Sequence, residues 1–399
     1  METVNQESIQ IVYATLSRIP SSGAHVIQIV RTCDALASLG VRVLLVVPRR
    51  KEFTFEELRR YYGLQGRFNV IRLLWFPPVK KKKGFLFLLS SIAYIFQLVI
   101  LLHLLKLRRW LGGEKPRLVI FLRERPLIIL LYILSPWMIK RTLFEVHDIQ
   151  NFCGFGERIL FSALFHCPKV IATSNYLRNY LDEIGFRKDR IHVIHNAADD
   201  RSFSNNVPIV KMAKKIREVA KGRKVVMYVG SLKKSKNPEF IVDSFKVLNR
   251  DDVCLVIIGG SFEEIERLLN YVKRRDVRNV VFLGRVSPAS VPHYLKLADI
   301  LVHNTVPLAS LSPLKIFEYM LAKKPIVAPN CPGVNEVLRN GENALLFSPG
   351  DQKSMAEKIS ILLENPDLAR KLAERAYNDA INNYTYKARA KKILKILEK

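Results

Sequence analysis

Residues 310–351 read SLSPLKIFEYMLAKKPIVAPNCPGVNEVLRNGENALLFSPGD, and this stretch decides the fold. Ser310, Ser312 and Pro313 have the character of a helix start, after which Leu314, Ile316, Phe317, Met320 and Leu321 form an apolar face at helical spacing. Lys323 and Lys324 put cations at the negative end of that helix. Pro325–Ala328 is a short apolar strand, and Gly333, Gly341 and Gly350 punctuate the turns after it. At the helix start the N–H groups of Leu314 and Lys315 have no acceptor inside the helix, which suits an anion such as a diphosphate. One turn further in, Glu318 is placed to accept bonds from a pair of hydroxyls. Composition alone favours a plainer reading, an ordinary helix between strands with Glu318 as a solvated charge.

Working outward, 399 residues suffice for two domains, and 49% hydrophobic residues exclude a disordered chain. The net charge of +28 implies an anionic partner, whether nucleic acid, anionic lipid or a phosphorylated substrate. The basic residues run through both halves and do not form a tail. Cys33, Cys153, Cys167, Cys254 and Cys331 are scattered without a CxxC, which points to a reducing compartment and away from zinc. The first residues, METVNQESIQ, lack the basic and apolar regions of a signal peptide.

Ile9–Leu16, a loop containing Gly23 and His25, a helix ending at Gly40 and the strand Val41–Val47 make a βαβ unit, without the G-x-G-x-x-G of a dinucleotide site. Phe85–Leu105 then carries no Asp, Glu, Lys or Arg and is bracketed by Lys80–Lys83 and by Lys106, Arg108 and Arg109. At roughly 30 Å of helix it is long enough to span a bilayer. The strands expected on either side belong to one sheet, so an interfacial or shallowly re-entrant helix pair is preferred. A buried core helix and a transmembrane span are the alternatives. Leu118–Leu122 is a strand followed by Arg123, and Leu143–Val146 is a strand delivering His147 and Asp148 at its carboxyl end, where parallel sheets place ligands. His192 and His195, three apart on a strand, point to different faces, which argues against a metal site. Polar, basic 204–223 is the expected linker. The second half opens with Lys224–Val229, Gly230, Ser231 and a lysine cluster ending at Lys236. Later strands end at Gly260, at Gly284 before Arg285 and Val286, and at His303–Asn304.

The order of these features resembles family-4 glycosyltransferases, retaining enzymes of the GT-B fold. Pro313, Lys315, Glu318, Tyr319 and Met320 match the family's donor-binding helix. Lys324–Ala328 matches its next strand, and Glu336, Asn340, Gly341, Asn343, Leu345 and Leu346 match the segment beyond that strand. Ser310 stands where the Glu-x7-Glu form has its first Glu, as in the serine-proline-x-lysine variant. Lys236 matches the lysine that holds the donor diphosphate, while Ser231 stands where Arg is common, with Lys233 and Lys234 nearby. The resemblance implies an α/β protein of two Rossmann-like domains facing across a cleft: an acceptor domain 1–203, a donor domain 204–380, and a helix 381–399 crossing back to the first.

By the same resemblance the chain moves a sugar from a nucleotide diphosphate sugar to an acceptor hydroxyl, with retention and without a metal or other cofactor. His147, Lys236 and Glu318 would be catalytic. Gly23, Gly230, Ser231, Lys236, Arg285, Val286, Pro313, Leu314, Lys315 and Glu318 would bind the donor, and His25, Arg123 and Asp148 are acceptor-side candidates. The apolar stretch and its flanking cations suggest a peripheral or monotopic protein on the cytoplasmic face of a membrane, with a lipid-linked acceptor. Two other classes stay open: a GT-B-like membrane partner without catalysis, and a nucleic-acid binder. The latter has no evident reading motif and leaves 85–105 unexplained.

Overall fold

The computed structural model describes residues 9–21, 23–50, 52–76, 84–111, 117–147, 155–204, 209–304 and 312–398. Two parallel sheets organise it. The first contains Ile9–Ala14 (β1), Arg42–Pro48 (β2), Asn69–Leu73 (β3), Arg117–Leu122 (β4), Thr142–Val146 (β5), Lys169–Ala172 (β6) and Ile191–Val193 (β7), in the order β3-β2-β1-β4-β5-β6-β7. The second contains Lys224–Val229 (β8), Val253–Ile258 (β9), Val280–Gly284 (β10), Ile300–Val302 (β11), Ile326–Pro329 (β12) and Leu345–Phe347 (β13), in the order β10-β9-β8-β11-β12-β13. Neighbouring strands are parallel throughout. Helices on both faces bury such strands, which is why β9 reads VCLVII and is buried at every position. In each sheet the order reverses beside the first strand, between β1 and β4 and between β8 and β11. The crevice outside the carboxyl ends of such a pair is where open α/β sheets bind ligands.

The chain forms two compact units. The first runs through His195 and takes the chain again from Tyr386, and the second is Asn196–Thr385. The junction therefore lies before the expected 203/204 boundary, because Ala198 already donates to Tyr384 O (2.9 Å) and bridges to Thr385 within the second unit. Nor is 204–223 a linker: Ile209–Ala220 is a helix whose Ile216 and Ala220 are buried in the second unit's core, with Met212 packed against it. Its basic residues masked an apolar stripe at spacing four. The last helix, Tyr386–Glu398, buries Tyr386, Ala390, Ile393, Leu394 and Leu397 in the first unit.

The charge-free stretch forms one continuous helix, Phe85–Leu111, between β3 and β4, and not a re-entrant pair. One face packs inward through Tyr94, Ile95, Leu98 and Leu102, and Tyr94 donates to Val46 O of β2 at 2.8 Å. The opposite face is exposed and apolar at Phe85, Leu89, Ile92, Phe96, Ile100, Leu104 and Leu107, a spacing of three and four that keeps one stripe facing out. Only 33% of its most apolar window is buried, so it is no ordinary core helix. As the crossover between two strands of one sheet it cannot carry the chain across a bilayer. Lys80–Lys83 lie outside the described residues.

Candidate active site

In the second unit β8 ends at Val229, and Gly230 comes next, in close contact with the neighbouring turn. A Cβ on Gly259 (φ +127°) would fall within 1.9 Å of the Gly230 carbonyl oxygen, so only glycine permits this approach. Gly230 N donates to Ile258 O (3.0 Å), and the Tyr228 hydroxyl donates to Ser231 O (3.2 Å). The chain then makes a short 3-10 turn, Lys234–Lys236, and enters the helix Pro238–Leu248 through Asn237. Asn304, just past β11, holds this turn by donating to Asn237 O (2.8 Å) and Lys236 O (3.4 Å). Two strand ends that are remote in sequence thus place Lys236 at the β8/β11 crevice. Ser231, Lys233 and Lys234 are exposed on the same loop.

The helix Leu314–Leu321 begins later than its serines suggest, with Pro313 before it and no side chain capping it. Ser312 instead bonds Asn196, whose amide donates to Ser312 O at 2.9 Å. Ser310 lies outside the described residues. The leading N–H groups are left without a side-chain cap, a positive helix end open to an anion. Lys315 Nζ lies 2.8 Å from Glu318 Oε2, both half-exposed. Tyr319 fastens this helix to β8, its hydroxyl accepting from Val229 N (3.0 Å) and donating to Val229 O (3.3 Å). The structure thus brings Gly230, Lys236, Pro313, Leu314, Lys315 and Glu318 to one end of one sheet. Arg285 and Val286 come after β10, two strands away. Arg285 Nε donates to Gly260 O (3.1 Å), and Val286 packs on the core. Asn340 and Asn343 hold a turn: Asn340 Oδ1 accepts from Leu346 N (2.9 Å) and Asn343 Oδ1 from Arg339 N (2.7 Å).

In the first unit His25, Arg123 and His147 also converge. Arg123 Nη1 donates to His25 O and to Gln28 Oε1, both at 3.3 Å, and Gln28 reaches Glu145 Oε1 at 3.5 Å. His147 Nε2 lies 2.6 Å from that same carboxylate oxygen. Desolvation holds the His147 pKa below the ordinary histidine value despite Glu145, and Arg123 adds to the lowering, so the ring is neutral at pH 7. Glu145 itself is fully buried. Burial would raise its pKa, but the guanidinium of Arg389 and then His147 hold it well below the usual carboxylate range. Gly23 precedes the helix Ala24–Ser38 with an ordinary φ of −64°, and its carbonyl accepts from Val26 N and Ile27 N. Asp148 lies outside the described residues.

Three residues near these crevices carried no sequence assignment. Glu124, after β4, accepts from Thr15 and Ser17 through Oε1, while its buried Oε2 has no partner among the described residues, and burial pushes its pKa up. Arg50, after β2, lies 3.9 Å over the Trp75 ring with Nε and Nη2 unpartnered among the described residues, and Trp75 in turn meets Phe87 of the apolar helix. His303 comes directly after β11. Each is a polar residue one or two places past a parallel strand, the signal that singled out His147.

Two family descriptions match: "Glycosyltransferase Family 4" over residues 26–202 and "Glycosyl transferases group 1" over 211–379. The first part of the chain thus matches the family 4 glycosyltransferases and the second part the group 1 glycosyl transferases. Anabaena HepE in complex with UDP superposes with a TM-score of 0.75 at 19% identity, covering 98% of this chain and 100% of that one, which establishes the two-domain GT-B fold. Among curated relatives, N-acetyl-alpha-D-glucosaminyl L-malate synthase of Bacillus anthracis is 24% identical over 209 residues, 52% of this chain and 53% of its own. Phosphatidyl-myo-inositol mannosyltransferase of Mycobacterium leprae is 30% identical over 148 residues, 37% and 38% of the two chains. The chain spans about half the length of the curated relatives it matches first, 58%, 49% and 54%.

Proposed function

We propose that this glycosyltransferase moves a sugar from a nucleotide diphosphate sugar to an acceptor hydroxyl, with retention, at a membrane surface. The observation that carries the donor half is the convergence of Lys236, the uncapped helix start at Leu314–Lys315 and Glu318 beside the β8/β11 crevice. Those groups suit a diphosphate and, one helical turn on, a ribose. The HepE structures hold UDP and, in one case, UDP-glucose, which supports a nucleotide sugar here.

In the proposed reaction the bond between the anomeric carbon and the diphosphate oxygen breaks. The acceptor oxygen bonds that carbon on the same face, and its proton passes to the departing diphosphate. Lys236, the helix start and Lys315 stabilise the charge that grows on the leaving group. Neutral His147 would contact the sugar as positive character develops at its ring. Glu318 binds the ribose hydroxyls. No protein carboxylate nucleophile and no metal is assigned a step.

The acceptor half rests on the exposed apolar face of Phe85–Leu107. Ile133, Leu134 and Trp137 add exposed apolar surface nearby, and Lys106 Nζ sits 4.8 Å over the Trp137 ring, an aromatic–cation pairing typical of membrane interfaces. Such a face is costly in water and favourable at an acyl boundary, with basic residues worth about 1 kcal/mol each beside anionic lipid. Arg50, stacked on Trp75 with Nε and Nη2 unpartnered among the described residues, supplies an anion-binding group close to that helix, whose Phe87 meets Trp75, as a lipid phosphate or diphosphate acceptor would need. We place the protein on the cytoplasmic face, where its buried thiols Cys33, Cys167, Cys254 and Cys331 stay reduced. Flotation with anionic liposomes at low salt should carry the protein to the top fraction. High salt should weaken that binding, and detergent should abolish it. Protein left in the soluble fraction at low salt without detergent would remove the lipid-acceptor proposal.

A further inference from the structure

His303 stands one residue past β11, where the strand order of the second sheet reverses. Its side chain is buried (7% exposed), yet neither Nδ1 nor Nε2 has a protein partner among the described residues. A buried polar group left so costs about 1–3 kcal/mol, and native proteins keep few of them without a reason. The surrounding groups are engaged elsewhere. Asn304 holds the Lys236 turn, the Tyr319 hydroxyl holds β8, and Glu318 pairs with Lys315. The Tyr319 ring meets the imidazole edge to face, with centroids 6.3 Å apart. The charges that act on His303 are cationic, Lys236 from the loop after β8 and Lys315 from the helix. A neutral imidazole in the positive field of two lysines, with both ring nitrogens unpartnered among the described residues, suits an anion with several acceptor oxygens.

We propose that His303 is a diphosphate-binding residue of the donor site, which takes up a proton from solvent as the nucleotide binds and donates an N–H to a phosphate oxygen. This rests on the second unit being the donor site. In the free protein, burial and then Lys236 and Lys315 press the His303 pKa down to about 4, so the ring is neutral at pH 7. An entering diphosphate offsets both lysines and favours the imidazolium, so the bound pKa lies above the free one. The sign comes from linkage. Nucleotide affinity rises as pH falls through the bound pKa and levels off below the free value of about 4. Lys236, Lys315, Glu318 and Tyr319 also face the site, and all four are retained when His303 alone is replaced.

The test is calorimetric titration of a nucleoside diphosphate (UDP, GDP or ADP, whichever binds) into the full chain. Two buffers of different ionisation enthalpy at pH 6.5 and 7.5 give the net proton count. The ligand's terminal phosphate titrates near pH 6, so His303→Gln under the same conditions supplies the baseline. Wild type should take up more protons than the variant, up to about one per nucleotide. It should also bind about 10-fold more tightly at pH 6.5, with the gap narrowing at pH 7.5. Equal proton uptake, with a Kd ratio that does not change with pH, would overturn the proposal. Should the variant not fold, imidazole NMR signals of wild type decide instead: a ring that becomes protonated on adding nucleotide supports it, and one that stays neutral does not. Binding without proton uptake removes only the role of His303, whereas failure of all three nucleotides to bind removes the donor-site reading as well.

Discussion

Replacing Lys236 by alanine should lower the sugar-transfer rate by about 100-fold or more, the loss typical of removing a preorganised group that meets charge developing in a transition state. The fold should survive, because the Lys236 side chain makes no hydrogen bond or ion pair of its own among the described residues. The turn is held instead by its backbone, through Asn304 donating to the carbonyls of Lys236 and Asn237. Asn304→Ala should therefore have a smaller effect in the same direction, acting through the position of the turn. Steady-state transfer assays, with melting curves to confirm folding, separate the two effects. A loss below twofold in folded Lys236→Ala would leave the lysine loop as ordinary surface charge.

The second large effect is on stability. Arg389→Met should destabilise the first unit by about 3–5 kcal/mol at pH 7, as expected when one partner of a buried ion pair is removed. Arg389 and Glu145 are both almost fully buried. Nη2 of Arg389 donates to Glu145 Oε2 at 2.5 Å, and its Nη1 donates to the carbonyls of Ile194 (3.0 Å) and His195 (2.6 Å). Losing the arginine takes the guanidinium from a buried carboxylate, leaving it to His147 and Gln28, and removes the donor to two backbone carbonyls at once. Because Arg389 holds the Glu145 pKa down, the pair's contribution is present above the carboxyl's unfolded value and fades as pH falls toward the folded one. The penalty measured by urea denaturation should thus shrink at acid pH, where the carboxyl takes a proton. Glu145→Gln combined with Arg389→Met should cost less than Arg389→Met alone. A single-variant loss under about 1 kcal/mol would mean the last helix is held by its apolar face alone. Arg389 also helps lower the His147 pKa, so the variant that folds should show a raised one.

Much of the fold was legible because parallel strands buried on both faces must be apolar runs, and β1, β2, β8 and β9 are. The segment around Glu318 was legible because a helix start, a strand and glycine turns come in fixed order. Three features were hidden for identifiable reasons. The helix Ile209–Ala220 looks like a linker because its lysines and arginines outnumber the few apolar residues that face the core. The helix Phe85–Leu111 gives no periodic signal, since nearly every position is apolar, so its division into a packed face and an exposed stripe appears only when β2 lies beside it. The surroundings of Glu124, Arg50 and His303 are built from separate segments that the sheet order and the helices beside it bring together. A polar residue just past an apolar strand was the available signal. It singled out His147 and applied equally to His303.

The most direct measurement is nucleotide-sugar binding by the purified full chain, with UDP-, GDP- and ADP-sugars screened by thermal shift and the best ligand titrated by calorimetry. We expect one nucleotide class to raise the melting temperature. Glu318→Gln should keep the fold but weaken that ligand by about 1–3 kcal/mol, the scale of a lost charged hydrogen bond to the ribose. A folded wild-type protein that binds none of the three, or a Glu318→Gln variant with unchanged affinity and turnover, would contradict the assignment of the donor site.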